Sequence, residues 1–295
     1  MTPYQSNTTQ RKPPWLKRRL PTGKAYENVR RLLEKSCLHT VCQEAKCPNL
    51  WECFSQKTAT FLIMGPRCTR NCRFCAVEHG PMTAPDYDEP ARIAEAVRAL
   101  NLGYVVVTSV TRDDLEDGGA GYFAATIRSI HKDKPGTRIE VLIPDFKGNK
   151  IALEVVLEAG PDVLNHNLET VKRLYPDVRP EAVYERSLGL LRHVHTNRPG
   201  LPIKSGLMLG LGETRGEIME ALQDLLNNGC SLLTLGQYLQ PSKSHLRVVQ
   251  YVSPEAFESL RKDALGMGFK EVASGPFVRS SYHAKELFKA LTSPD

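Results

Sequence analysis

Three thiols, Cys68, Cys72 and Cys75, stand within eight residues in the stretch RCTRNCRFCAVEHG. A structural zinc site asks for four tetrahedral ligands, usually as two CxxC knuckles, and within this stretch only Cys72 and Cys75 have that spacing. Three thiolates from one loop can instead hold three irons of a four-iron cluster and leave the last iron without a protein ligand. An iron open in this way can bind a substrate or a cofactor, whereas an electron-storing ferredoxin closes all its corners with cysteine. The pattern therefore argues for catalysis over electron storage. Upstream, CQEAKCPNLWEC supplies Cys42, Cys47 and Cys53. Zinc or loose thiols are the plain reading of this second set; a second iron–sulfur cluster, its fourth corner filled from elsewhere, is the sharper one. Cys37 and Cys230 fit neither pattern and read as inert thiols.

These loops need a frame, and the rest of the chain supplies a regular alternation. β-rich runs recur at 58–65, 104–110, 138–144, 162–169, 202–210 and 232–239. Amphipathic helical stretches lie between and after them, at 89–100, 150–160, 182–194, 217–229 and 254–268, and many end in Gly or Asn as helix C-termini do. Alternation of this kind implies βαβ units and a parallel sheet, either doubly wound or curved into a barrel; periodicity alone does not choose. Several strands end in polar residues: Thr108 and Ser109, then Asn165, His166, Asn167 and Glu169, then Lys204 and Ser205, then Gln237 and Tyr238. A β/α barrel builds its site at those strand ends and the loops that follow, and the three-cysteine loop also follows a strand.

Composition narrows the class. With 41% hydrophobic and 24% charged residues over 295, the chain has ample apolar mass for one large α/β domain or two ordinary ones. It has no run of eighteen apolar residues, and its first thirty lack the apolar core of a secretory signal. The sequence therefore predicts a soluble, unexported protein in a reducing compartment, where closely spaced thiols bind metal or do redox chemistry more often than they form disulfides. Between Arg11 and Arg31 eight basic residues face one acid, Glu27. This arm is either a solvated tail or a positive surface that docks an acidic protein or an anionic ligand. Nucleic acid is not indicated, because no zinc-finger, RNP1-like or helix-turn-helix pattern accompanies the charge.

CTRNCRFC, with Phe74 just before its last cysteine, resembles the CxxxCxxC motif of the radical S-adenosylmethionine (SAM) superfamily. That resemblance implies an α/β fold of the partial (β/α)6 TIM-type barrel kind. It further implies an open iron that chelates the amino and carboxylate groups of SAM, and a reduced cluster that cleaves SAM to a 5′-deoxyadenosyl radical. The second cysteine set, RKPPWLK near the start and GPFVRSSYHA (275–284) near the end together resemble the lipoyl synthase family, over nearly the whole chain. The implied reaction inserts two sulfur atoms, at carbons six and eight of an octanoyl chain held in amide linkage on a lipoyl carrier protein. The implied cofactors are two 4Fe–4S clusters and SAM, the upstream cluster being dismantled as the sulfur source.

The same resemblance assigns residues. Cys68, Cys72 and Cys75 would hold the SAM cluster; Cys42, Cys47 and Cys53 the auxiliary one, with its fourth ligand a serine of RSSY, Ser280 or Ser281, of which Ser281 is favoured. A hard alkoxide is a poor partner for iron that prefers thiolate, so that corner should be the most easily released. As plain serines the pair could instead cap a helix, the lesser reading, and Arg279 beside them would steady the site electrostatically. Candidate SAM contacts are Asn165, Asn167, Glu169, Lys204, Ser205 and Glu213, the last in GLMLGLGET (206–214), which otherwise reads as a tight strand-to-helix turn rather than a dinucleotide fingerprint. The acids of TRDDLEDGGA (111–120) read as a solvated loop, and His166 and His283 as structural hydrogen bonders. The implied partners are an octanoylated carrier (glycine cleavage H protein or a 2-oxoacid dehydrogenase E2 subunit), a ferredoxin or flavodoxin, and an iron–sulfur carrier that renews the spent cluster, in a bacterial cytoplasm more than an organelle. Three regions are expected: an extension over 1–57, a barrel over 58–270 and a closing segment over 271–295.

Overall fold

β-branched runs such as YVVVTS at 104–109 are buried on both faces, as strands of a helix-covered parallel sheet must be. In the computed structural model, which describes residues 11–17, 24–55 and 60–292, ten strands form: β1 (His39–Thr40), β2 (Thr60–Ile63), β3 (Arg67–Cys68), β4 (Glu78–His79), β5 (Tyr104–Ser109), β6 (Arg138–Leu142), β7 (Val163–Asn165), β8 (Ile203–Leu209), β9 (Leu232–Gln237) and β10 (Glu271–Gly275). Eight make one sheet in the order β1-β2-β5-β6-β7-β8-β9-β10, parallel throughout except for β1, while β3 and β4 pair in the cysteine loop. Thr58 and Ala59, expected in the first of the six predicted strands, lie outside the described residues; the other predicted strands are all present.

The helices are α1 (Lys24–Lys35), α2 (Val41–Glu44), α3 (Leu50–Ser55), α4 (Glu89–Ala99), α5 (Ala120–Asp133), α6 (Lys150–Glu158), α7 (Tyr175–Val178), α8 (Tyr184–Asn197), α9 (Arg215–Asn227), α10 (Pro254–Met267) and α11 (Ala284–Thr292). Their boundaries follow local chemistry. Thr214 and Glu217 close a capping box on α9, Asn149 accepts the first amides of α6, and Ser253 caps α10 before Pro254. Gly268 ends α10 in a left-handed turn. Six βα units, from β2–α4 to β9–α10, curve into an open barrel of the expected class, to which β10 adds a seventh parallel strand. Among the described residues no helix is long and apolar enough to cross a membrane.

Strand alternation divides the barrel interior into two levels. Tyr104, Glu140, Asn165 and Lys204 lie low, where Glu140 accepts the Tyr104 hydroxyl at 2.6 Å, the Asn165 amide at 3.1 Å and the Lys204 ammonium at 2.9 Å, all buried. Two residues further along each strand, about 6.6 Å higher at the usual rise, Val106 is covered by Ala284 at the start of α11, while Leu142, Asn167 and Gly206 reach the cavity at the strand ends.

Candidate functional site

The cavity encloses about 590 Å³ at the C-terminal ends of the strands, inside the usual range for small-molecule sites. Its wall includes Cys68, Cys72 and Cys75, also Cys42 and Cys47, together with Arg279, Ser280 and Ser281. Lys12, from the N-terminal RKPPWLK, joins them. Cys53 sits half-buried on α3 and is not a wall residue.

Backbone bonds set the cysteine loop between β2 and α4 against three neighbouring segments. Thr69 donates to the Thr111 carbonyl after β5 at 3.0 Å, Arg73 to Val178 after α7 at 3.0 Å, and Leu246 to Arg73 at 3.1 Å. His245 Nε2 lies 2.9 Å from the Cys75 carbonyl. The thiols are free and half-buried. Burial pushes the Cys75 thiol up to about 12 and raises Cys72 as well, the nearby Arg179 guanidinium opposing the shift at Cys72. Buried thiols of this kind stay protonated until a metal cation displaces the proton. Among the described residues no three Cys, His, Asp or Glu side chains come close enough to hold a single metal ion. Sulfurs spaced apart around one cavity suit a cluster, in which each thiolate takes a different iron.

The second cysteine set is assembled differently. Cys42 is buried in α2, its thiol pushed up to about 11 by burial and by Cys47. Thr40 caps α2 and pairs with Phe61 of β2, which fastens this segment to the barrel edge. Its link to the C-terminal segment is direct: Asn49 Nδ2 donates to the Phe277 carbonyl at 2.6 Å, and the Tyr282 hydroxyl to Glu52 at 2.9 Å. That segment crosses β9 so closely that a Cβ on Gly236 would lie 2.1 Å from the Val278 carbonyl oxygen, so only glycine fits there.

Between the cysteine loop and β8 the wall is polar and unsatisfied. Ser109 Oγ, Asn167 Oδ1 and Arg179 Nε are buried without a hydrogen-bond partner among the described residues, although Asn167 Nδ2 donates to Glu169 at 3.0 Å. Glu169 itself holds a left-handed φ of 69°, uncommon for a residue with a side chain and frequent at binding sites. Burial raises its carboxyl, with Arg179 opposing. Arg179 donates to the carbonyls of Asn167 and Leu168 at 3.0 and 3.1 Å. Free thiols, orphaned polar atoms and roomy space together fit an iron–sulfur cluster with a polar ligand on it.

Of the residues predicted as SAM contacts, Asn167 and Glu169 are in the wall. Asn165 and Lys204 belong to the low ion-pair level. Ser205 is fully buried and accepts from the Leu168 amide, and Glu213 accepts from the amides of Gly210 and Leu211, holding the turn in which Gly210 and Gly212 have φ of 105° and 109°. His166 is a structural hydrogen bonder, between the Ile143 carbonyl and Ser187, and burial keeps it neutral with a pKa lowered to about 4. The acids of TRDDLEDGGA are a correction. Asp113 and Asp114 pair with Arg70 and Arg112, and Asp117 accepts from Gly119 and Gly121, so these three organise the loop after β5, while Asp114 and Glu116 are exposed as a solvated loop requires. Arg70 and Arg179 went unread, since a charge inside a motif or loop reveals its partner only once the chain has folded.

An open parallel barrel with a CxxxCxxC loop over its strand ends defines a radical SAM enzyme, and the sequence profile of the Radical SAM superfamily matches residues 62–225. Solved structures of methylornithine synthase (TM-score 0.55, 15% identity, covering 86% of this chain and 79% of that one) and of HydG, a maturase of FeFe-hydrogenase (0.55, 13%, 89% and 74%), share the fold. The profile of the N-terminal domain of lipoyl synthase matches residues 2–47. Lipoyl synthase of Desulfotalea psychrophila is 57% identical over 97% of this chain and 96% of its own, and that of Geobacillus thermodenitrificans is 53% identical over 94% and 93%. The chain belongs to the lipoyl synthase family, whose members use SAM, the 4Fe–4S cluster of the superfamily and a second, auxiliary cluster.

Proposed function

We propose that Cys68, Cys72 and Cys75 hold the SAM cluster and that Cys42, Cys47, Cys53 and Ser281 hold the auxiliary cluster, in an enzyme that inserts sulfur at carbons six and eight of a carrier-bound octanoyl chain. The observation that carries this reading is the single cavity lined by Cys68, Cys72 and Cys75, by Cys42 and Cys47, and by Ser281. When bound, the clusters supply the electron that cleaves SAM and the sulfur that is inserted.

The protein's own part is placement. Asn167, Glu169, Ser109 and Arg179 offer unpaired or polarised groups to the amino, carboxylate and ribose groups of SAM. Val41, Ala45, Leu142, Met208 and Val278 give the same cavity an apolar side suited to an eight-carbon chain. The C-terminal segment over β9 excludes water from the mouth, which protects a reactive carbon centre from side reactions. Lys12 and Lys46 make the rim on the auxiliary side cationic, in keeping with docking of an acidic carrier domain, a glycine cleavage H protein or an E2 subunit. A ferredoxin or flavodoxin would deliver electrons and an iron–sulfur carrier would renew the spent cluster, in the cytoplasm. By this division of labour residues 1–57 carry the auxiliary thiols, 58–270 the six βα units of the barrel and 271–295 the closing segment, which begins with β10 on the barrel's edge.

The test is one mass-spectrometric assay of anaerobically reconstituted protein with SAM, a strong reductant and an octanoyl-lysyl peptide. Release of 5′-deoxyadenosine with replacement of two peptide hydrogens by two sulfurs is expected. Nucleoside without sulfur addition would overturn the substrate; neither product, with intact clusters, would favour an electron carrier.

A further inference from the structure

Arg70 stands between the first two cysteines of the loop, yet its side chain turns away from solvent and is 4% exposed. Nε and Nη2 grip Asp113 in a two-pronged pair at 2.7 and 3.1 Å, and Nη2 also reaches Asp145 at 2.6 Å. Asp145 is 1% exposed, and its second oxygen takes Arg186 of α8 at 3.1 Å. One guanidinium thus ties the cysteine loop to the loops after β5 and β6. A buried charge with two carboxylate partners is expensive to break, and the planar fork of arginine suits this geometry as lysine does not.

The tie bears on one sulfur. Cys68 Sγ accepts from the backbone N–H of Arg70 itself at 3.4 Å and from that of Thr111, two residues before Asp113, at 3.3 Å. Thr69 completes the junction, its hydroxyl donating to the Thr111 carbonyl at 2.9 Å and accepting from the Asp113 amide at 3.1 Å. Donors on a cluster sulfur stabilise the reduced, more negative state and so raise its potential. We infer that Arg70, clamped by Asp113 and Asp145, is a positioning residue that holds both N–H donors on Cys68 and thereby sets the reduction potential of the open-iron cluster and the seat of SAM upon it. The inference rests on Cys68 being a ligand of that cluster.

The test compares reconstituted wild-type, Arg70→Gln, Arg70→Lys and Cys68→Ala enzymes by iron content, thermal unfolding, redox titration of the SAM-responsive electron paramagnetic resonance signal, and SAM KM against kcat. Arg70→Gln should keep its iron but show a more negative potential and a SAM KM raised about 10–100-fold, the range typical for groups that orient metal ligands. Arg70→Lys, which retains charge without the fork, should fall between and carries the test if Arg70→Gln does not fold. Wild-type potential and KM in the folded variants, whatever their stability, would overturn the inference. A Cys68→Ala enzyme that keeps the SAM-responsive signal would instead overturn the ligand assignment beneath it.

Discussion

Five of the six clustered cysteines line one cavity, yet the two sets are built on opposite plans. Cys68, Cys72 and Cys75 lie on one short loop locked to the ends of the barrel by backbone bonds and by buried arginine–aspartate pairs. Cys42 and Cys53 ride on two short helices at the barrel edge with Cys47 in the turn between them, and Ser281 comes from the far end of the chain, brought near by Asn49–Phe277 and Tyr282–Glu52 contacts. The first set is thus tied by several bonds to the loops that follow the strands. The second set and Ser281 are instead brought together along a seam between the N-terminal and C-terminal segments, which in the proposed reading suits a centre that gives up its sulfur and is rebuilt.

The largest effect expected on this contrast is from Cys68→Ala, which should abolish 5′-deoxyadenosine formation; cleavage at the wild-type rate would break the assignment of that loop. Next, Cys42→Ala should retain SAM cleavage yet give no sulfur-containing product by mass spectrometry, and any sulfur insertion would remove the second set as donor. Gly236→Ala should drive the Val278 backbone off β9, costing about 1–3 kcal/mol in thermal unfolding. It should also lower sulfur insertion more than SAM cleavage, because the seam lies on the auxiliary side. Smallest is Tyr282→Phe, which removes one donor to Glu52 and should cost about 1 kcal/mol with faster loss of auxiliary iron to a chelator. Equal loss of iron from both clusters would erase the difference between the tied loop and the seam.

Much of this was legible in advance. Six strands announced themselves through short apolar runs recurring between helical stretches, and the cysteine spacing through its density. The strand β10 was missed because EVASG has a single buried residue, Val272, and a glycine end; it is a strand because it pairs along the edge of β9. Lys204 and Asn165 looked like the other polar strand-end residues, and only the strand register put them one level too low for the cavity.

The sequence by itself determined which atoms are available for chemistry: six clustered thiols, a serine pair, and polar residues at strand ends with period two. Those follow from residue type and local spacing, which folding does not change. The tertiary structure alone decided which of them meet. Arg70 finding Asp113 and Asp145, Arg179 reaching the carbonyls beside Asn167, and Ser281 joining Cys42 all depend on contacts between residues far apart in the chain. Such contacts are fixed by barrel closure and burial, where a charge or hydroxyl must find a partner and takes the one that the packed strands bring within reach.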